Sequence, residues 1–183
     1  MPPIVAPATD RAPSACEGST VTETIAFGSY EISTDPARLD RARIHRWLST
    51  DAYWALGRSR EKQDRALDGS LGFGAYDTRS GEQVAYARVV TDRATFAWLC
   101  DVYVEPGARG TGLGTALVTA VRDHLEPYGL SRVLLATHDA HGVYEKLGFA
   151  PLARPDHFMA LTPGGPGTPS PPAPDAHAAE GRA

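Results

Sequence analysis

Residues 105–115 read Glu-Pro-Gly-Ala-Arg-Gly-Thr-Gly-Leu-Gly-Thr, and this run constrains the chain more than any other. An apolar stretch ending at Val104 precedes it. Behind it Leu113, Leu117, Ala120, Val121, His124 and Leu125 recur at spacings of three and four, the mark of an amphipathic helix. The chain must therefore pass from strand to helix through glycines. The first N–H groups of a helix lack intrahelical partners, and the helix dipole adds partial positive charge there. Gly110, Gly112 and Gly114 let a diphosphate approach those amides closely. Arg109 either adds a charge-assisted contact or fixes the loop. Two common nucleotide sites are excluded. A P-loop needs a Gly-Lys-Ser/Thr that is absent, and the dinucleotide fingerprint needs glycine at 115, where Thr115 stands. Spacing alone leaves two readings, an anion site or a tight turn.

Other elements alternate around this loop. Thr34-Asp35-Pro36 signals a helix start, with Leu39, Ile44, Trp47 and Leu48 on one face. A polar helix is expected from Arg60 to Asp68, stopped by Gly69. Strands are expected over Leu71–Tyr76, Gln83–Thr91 and Thr95–Glu105, joined by short turns as an antiparallel meander. Pro127 and Gly129 end the helix behind the glycine loop. Arg132–Ala136 reads as a short strand and His141–Leu147 as a short helix; Phe149–Ala153 and Phe158–Leu161 are final strand segments. The order strand, glycine loop, helix, strand implies one parallel β-α-β crossover in a mostly antiparallel mixed sheet, an α/β (α+β) fold.

Composition sets the limits of this domain. Ten of the 15 prolines lie before residue 24 or after Thr162. Residues 1–23 and 163–183 therefore read as a disordered leader and a disordered Pro/Gly/Ala-rich tail, leaving 24–162 as the domain. That middle holds 16 basic and 17 acidic residues, within a chain of net charge −4. No basic face for nucleic acid or an anionic membrane is expected. No apolar run is long enough to span a membrane, and no secretory signal is visible, so a cytoplasmic location is the expectation. Cys16 and Cys100 stand in dissimilar settings that give a disulfide no support.

Specific motifs carry a family resemblance. Arg109-Gly110-Thr111-Gly112-Leu113-Gly114 matches the Arg/Gln-x-x-Gly-x-Gly/Ala motif of the GNAT superfamily of acetyl-CoA-dependent N-acetyltransferases. Asp101-Val102-Tyr103-Val104-Glu105-Pro106 looks like that family's fourth strand. About 30 residues after the loop, Val143-Tyr144-Glu145-Lys146-Leu147-Gly148-Phe149 resembles its second signature. The resemblance implies a splayed sheet, with acetyl-CoA as the acetyl donor and no metal. It implies that the backbone of the strand at Val102, Tyr103 and Val104 pairs with the pantetheine arm. The amides from Arg109 to Gly114, with Thr115, would hold the pyrophosphate, and Tyr144 would stand near the thioester sulfur.

Transfer to an amine needs a neutral amine and an acid for the departing thiolate. Tyr144 matches the family's general acid; its bland alternative is core packing. Asp101 either deprotonates the amine through water or caps a turn. Cys100 lacks a paired base and reads as a buried apolar residue. Thr137 stands where the family often has an asparagine that contacts the cofactor, and its hydroxyl supplies part of that contact. His138, Asp139 and His141 read as a solvated helix start rather than metal ligands. Tyr53, Trp54 and Arg58 are the expected acceptor contacts, with Asp51 drawing the cation; ordinary linker packing is the other reading. The acceptor would be a small-molecule or peptide amine, and the family admits a homodimer. A non-catalytic acyl-CoA-binding regulatory module is the competing function.

Overall fold

The computed structural model describes residues 22–161. The expected tail lies outside the described residues, as does the leader apart from its last two positions. Ten elements follow in order: β1 (Thr24–Phe27), β2 (Tyr30–Ser33), α1 (Arg41–Thr50), α2 (Arg60–Asp68), β3 (Leu71–Asp77), β4 (Gln83–Thr91), β5 (Phe96–Val104), α3 (Leu113–Leu125), β6 (Arg132–Leu134) and α4 (His141–Glu145). The sheet runs β1-β2-β3-β4-β5-β6. All its pairs are antiparallel except β5 with β6, the two strands joined through α3. The mixed sheet, the meander β3-β4-β5 and the single crossover are those read from the sequence.

The sheet separates two apolar clusters. On one face Phe73, Ala85, Ala87, Val89, Ala97 and Leu99 pack against Leu113, Leu117, Val118 and Val121 of α3. On the other, Tyr86 and Tyr103 meet Ile44, Trp47 and Leu48 of α1 and Leu67 of α2. His124 of α3 packs edge-on against Phe73, with centroids 5.4 Å apart, and its Nδ1 lies 3.1 Å from Glu23 Oε2. Glu23 thus docks the start of the described chain onto α3. Among the described residues no helix is long and apolar enough to cross a membrane.

Four local expectations are corrected. Pro36 opens only a single 3₁₀ turn, Pro36–Arg38, because Leu39 and Asp40 take non-helical ψ values of 117° and 87°. A fresh helix then starts at Arg41, its Asp40 cap accepting from Arg43 N at 2.9 Å. Leu39 still joins the α1 cluster from the linker, over Gly72, where a Cβ would stand 2.6 Å from Leu39 Cδ1. The hairpin β1-β2 adds two strands of only four residues each ahead of these elements. Helix α4 ends at Glu145 and β6 at Leu134, both short of expectation. Finally, residues 149–153 and 158–161 form no strands. A three-residue β6 offers a short template, and Pro151 withholds a ladder donor.

Candidate active site

Two departures from a regular ladder make the site. The first lies within β5. Tyr86 pairs with Tyr103 and Arg88 with Cys100, so Ala87 alone faces both Asp101 and Val102. This bulge seats Asp101 at φ 53°, a left-handed conformation that aspartate tolerates. The extra residue flips the alternation. Ala97 and Leu99 point into the α3 cluster, whereas Tyr103 points into the α1 cluster. The second departure is a splay. The β5-β6 pairing covers only Phe96↔Arg132, Ala97↔Val133 and Trp98↔Leu134. Beyond it, the β5 edge from Leu99 to Val104 has no strand beside it among the described residues.

A cleft of about 650 Å³ opens at the splay. Its walls are β5 from Trp98 to Val104, the α1–α2 connection from Asp51 to Trp54 with Arg58, residues 135–137, and Asp139 with Tyr144. A larger groove, about 940 Å³, lies against the C-terminal half of α3, β6 and residues 147–158, away from the glycine loop and Tyr144.

The cleft reaches the glycine loop at Arg109. Gly110 and Gly112 have φ values of 77° and 83°, and Gly112 caps α3. The first intrahelical bond is Ala116 N to Gly112 O, at 3.0 Å, so the N–H groups ahead of it have no helical acceptor. Gly110, Thr111, Gly112 and Thr115 are exposed, while the Leu113 side chain is buried and anchors the helix start. Gly114 packs beside Val104. Arg109 fixes the loop: its Nε donates to Val104 O at 2.9 Å and its Nη2 to Asp51 Oδ2 at 3.2 Å. Asp51 Oδ2 also accepts from Tyr103 Oη at 2.6 Å, so one oxygen of the carboxylate expected to draw a cation is engaged. Burial, then this hydrogen bond, pushes the Tyr103 hydroxyl up to about 12.

Tyr144 sits on α4, edge-on to Phe149 with centroids 5.8 Å apart, and is half-buried in the cleft wall. Burial raises its pKa, and the charges of Asp139 and Tyr53 raise it further. Thr137 Oγ1 accepts from Ala140 N at 3.1 Å, so the hydroxyl expected at the cofactor caps the turn into α4 and keeps its proton and one lone pair for other partners. Tyr53 and Trp54 stand edge to face, 4.9 Å apart.

Asp101 is tied rather than free. Arg58 Nη1 and Nη2 donate to its two oxygens at 2.7 and 3.1 Å, and Arg88 Nε donates to Oδ2 at 2.9 Å. The Asp101 side chain is 2% exposed. Burial pushes its pKa up, but the hydrogen bond from Arg58 and the charge of Arg88 outweigh burial and hold it below the usual carboxylate range. The proton-acceptor role expected of Asp101 conflicts with this geometry, because both oxygens are occupied and the carboxylate is a weakened base. Burial pushes the Cys100 thiol up to about 11, so it stays protonated at neutral pH. Among the described residues no three His, Cys, Asp or Glu side chains are grouped to hold a metal ion.

Arg88 is the site residue that sequence reasoning missed. Its one signal was a charge inside the apolar run Tyr86-Ala87-Arg88-Val89-Val90, and the bulge that brings it to Asp101 is invisible in periodicity.

The comparisons agree with this geometry. The Acetyltransferase (GNAT) family model matches residues 41–149. A protein of Gibberella zeae named as an acetyltransferase is 34% identical over 137 residues, covering 65% of this chain and 77% of that protein. Serotonin N-acetyltransferase 2, chloroplastic, of Oryza sativa subsp. japonica is 37% identical over 97 residues, 51% of this chain and 48% of that one. The crystal structure of a GNAT-family acetyltransferase from Xanthomonas campestris pv. campestris is 44% identical and superposes with a TM-score of 0.70, over 75% of this chain and 95% of its own. The family match spans the splayed strand, the glycine loop and Tyr144, and the chain belongs to the GNAT family of acetyltransferases, whose general reaction is acetyl transfer.

Proposed function

We propose that the chain moves the acetyl group of acetyl-CoA to a primary amine of a small molecule or peptide by direct attack, with both substrates held at once. One observation carries this reading: the unpaired edge of β5 leads straight into the exposed amides at the start of α3, with Tyr144 on the cleft wall. An extended arm ending in a diphosphate fits such a track, since a strand edge offers main-chain hydrogen bonds and a helix start offers amides to an anion. Acetyl-CoA, when bound, supplies the thioester. Val102 and Val104 would pair with the arm, and residues 110–115 would hold the diphosphate.

In the transfer the N–C bond forms and the C–S bond breaks. The Tyr144 hydroxyl donates a hydrogen bond, and then its proton, to the sulfur as negative charge grows there; solvent returns that proton. An alkylamine has a pKa near ~10, so only its neutral fraction attacks, its ammonium proton having been lost to water at the open cleft mouth, and the nitrogen sheds one further proton to water as the amide forms. Asp101 acts by positioning Arg58 and Arg88. Similarity to a protein named as a serotonin N-acetyltransferase supports an amine acceptor.

The test is thiol release from acetyl-CoA with a broad amine panel, read together with mass detection of the acetylated product. Turnover with any amine supports the enzyme. Tight acetyl-CoA binding with no acetylated amine leaves the non-catalytic acyl-CoA-binding module.

A further inference from the structure

The cleft holds more cationic donor capacity than acetyl transfer uses. Arg58 spends Nη1 on Asp101 and on Gln63 Oε1, at 2.7 and 2.8 Å, and Nη2 on Asp101 at 3.1 Å. Arg88 spends only Nε. Among the described residues its Nη1 and Nη2 have no hydrogen-bond acceptor, although the side chain is just 14% exposed. Neither nitrogen is sealed in the interior, and Arg88 lines the cleft. The group Arg58–Asp101–Arg88 carries a net charge of +1. Of the other carboxylates that face the cleft, Asp51 is engaged by Tyr103 and Arg109. Asp139 is exposed and has no ion pair among the described residues.

We propose that the acceptor is an amine that also bears a carboxylate, which Arg88 grips through Nη1 and Nη2 while the amine end faces Asp139 and Tyr144. The inference rests on the acetyl-transfer reading for the chemistry, but the subsite stands on its own geometry. Paired N–H donors of a guanidinium match the two oxygens of a carboxylate. A monoanion also balances the +1 of the trio, whereas a phosphate dianion would leave unpaired charge in a largely enclosed site.

Calorimetric titration of the full chain, saturated with CoA, tests this. The ligands are two matched pairs, phenylalanine with phenethylamine and β-alanine with propylamine, and O-phosphoethanolamine as the phosphate arm. The carboxylated member of each pair should bind at least about tenfold tighter. Arg88→Met should erase that preference and Arg88→Lys should restore part of it, with CoA affinity reporting an intact fold. If Arg88→Met no longer binds CoA, the wild-type preference and Arg88→Lys carry the test. Pairs that bind within threefold of each other overturn the proposal. So does a preference that persists in a CoA-binding Arg88→Met, or tighter binding of the phosphate compound. A carboxylate preference without any acetylated product keeps the subsite and sinks the acetyl-transfer reading.

Discussion

Tyr144 keeps its proton because its surroundings disfavour a phenolate: burial desolvates it, and the negative charge of Asp139 adds to the effect. A raised pKa means that the acidic form survives to higher pH than in a free tyrosine, near ~10. Tyr144→Phe should therefore lower kcat by about 10²-fold, in the range of one general-acid contribution, and leave the KM for acetyl-CoA nearly unchanged. In the wild type, the alkaline loss of kcat should fall above the pH where a free tyrosine ionises. That limb should vanish in Tyr144→Phe. Initial rates of thiol release across the pH range measure both, and a variant with full rate removes Tyr144 from the chemistry. Tyr103 serves as the contrast: its hydroxyl is also held up, to about 12, but is spent on Asp51.

At the scale of elements, the glycine loop and α3 separate two glycines that one motif treats alike. Gly112 caps α3 at φ 83°, where a side chain costs roughly 1–2 kcal/mol. Gly114 lies inside the helix, and a Cβ there would stand 3.5 Å from Val104 Cγ2, an ordinary contact. Gly112→Ala should lose about that stability in urea denaturation, and its CoA affinity should fall by about tenfold as the amides shift. Gly114→Ala should hold or gain up to about 0.5–1 kcal/mol, because alanine is the better helix former, and should bind CoA as the wild type does. Equal losses in the two variants would reject the assignment of the loop. Sequence carried this element well, since α3 has the 3.6-residue period and the glycines mark the passage from strand to helix. It also bounded β4 and α2 correctly. It misjudged elements set by tertiary context. Asp35 and Asp40 both make side-chain caps, and only packing decides which one opens α1. The segments after Leu147 have strand-like composition, but β6 offers them only a three-residue template. The pairing of Asp101 with Arg58 and Arg88 was hidden for a related reason: a bulge changes which face a residue occupies without changing the pattern that precedes it.

Across the whole molecule, one charged cluster joins the layers. Arg58 comes from the α1–α2 connection, Arg88 from β4 and Asp101 from β5, so the helical layer is bound to the sheet where the splay begins. Removing the single anion would strand two guanidiniums, 16% and 14% exposed, in a mostly enclosed site. Asp101→Asn should therefore cost about 3 kcal/mol or more of unfolding free energy. If the cost comes from orphaned charge, Asp101→Asn combined with Arg88→Met should lose less than the sum of the two single losses. The pH dependence follows from the same cluster. The pKa of Asp101 is lower in the folded protein than in the unfolded chain, where it lies near ~3.9. Its ionic contribution is thus fully present above the unfolded value and is lost as pH falls through the folded one. Urea denaturation from pH 8 downwards should show a constant stability gap between wild type and Asp101→Asn to about pH 5, narrowing below about pH 4. A gap that instead widened in acid would mean that Asp101 is protonated in the fold, and the two arginines would then need another anion to hold them together.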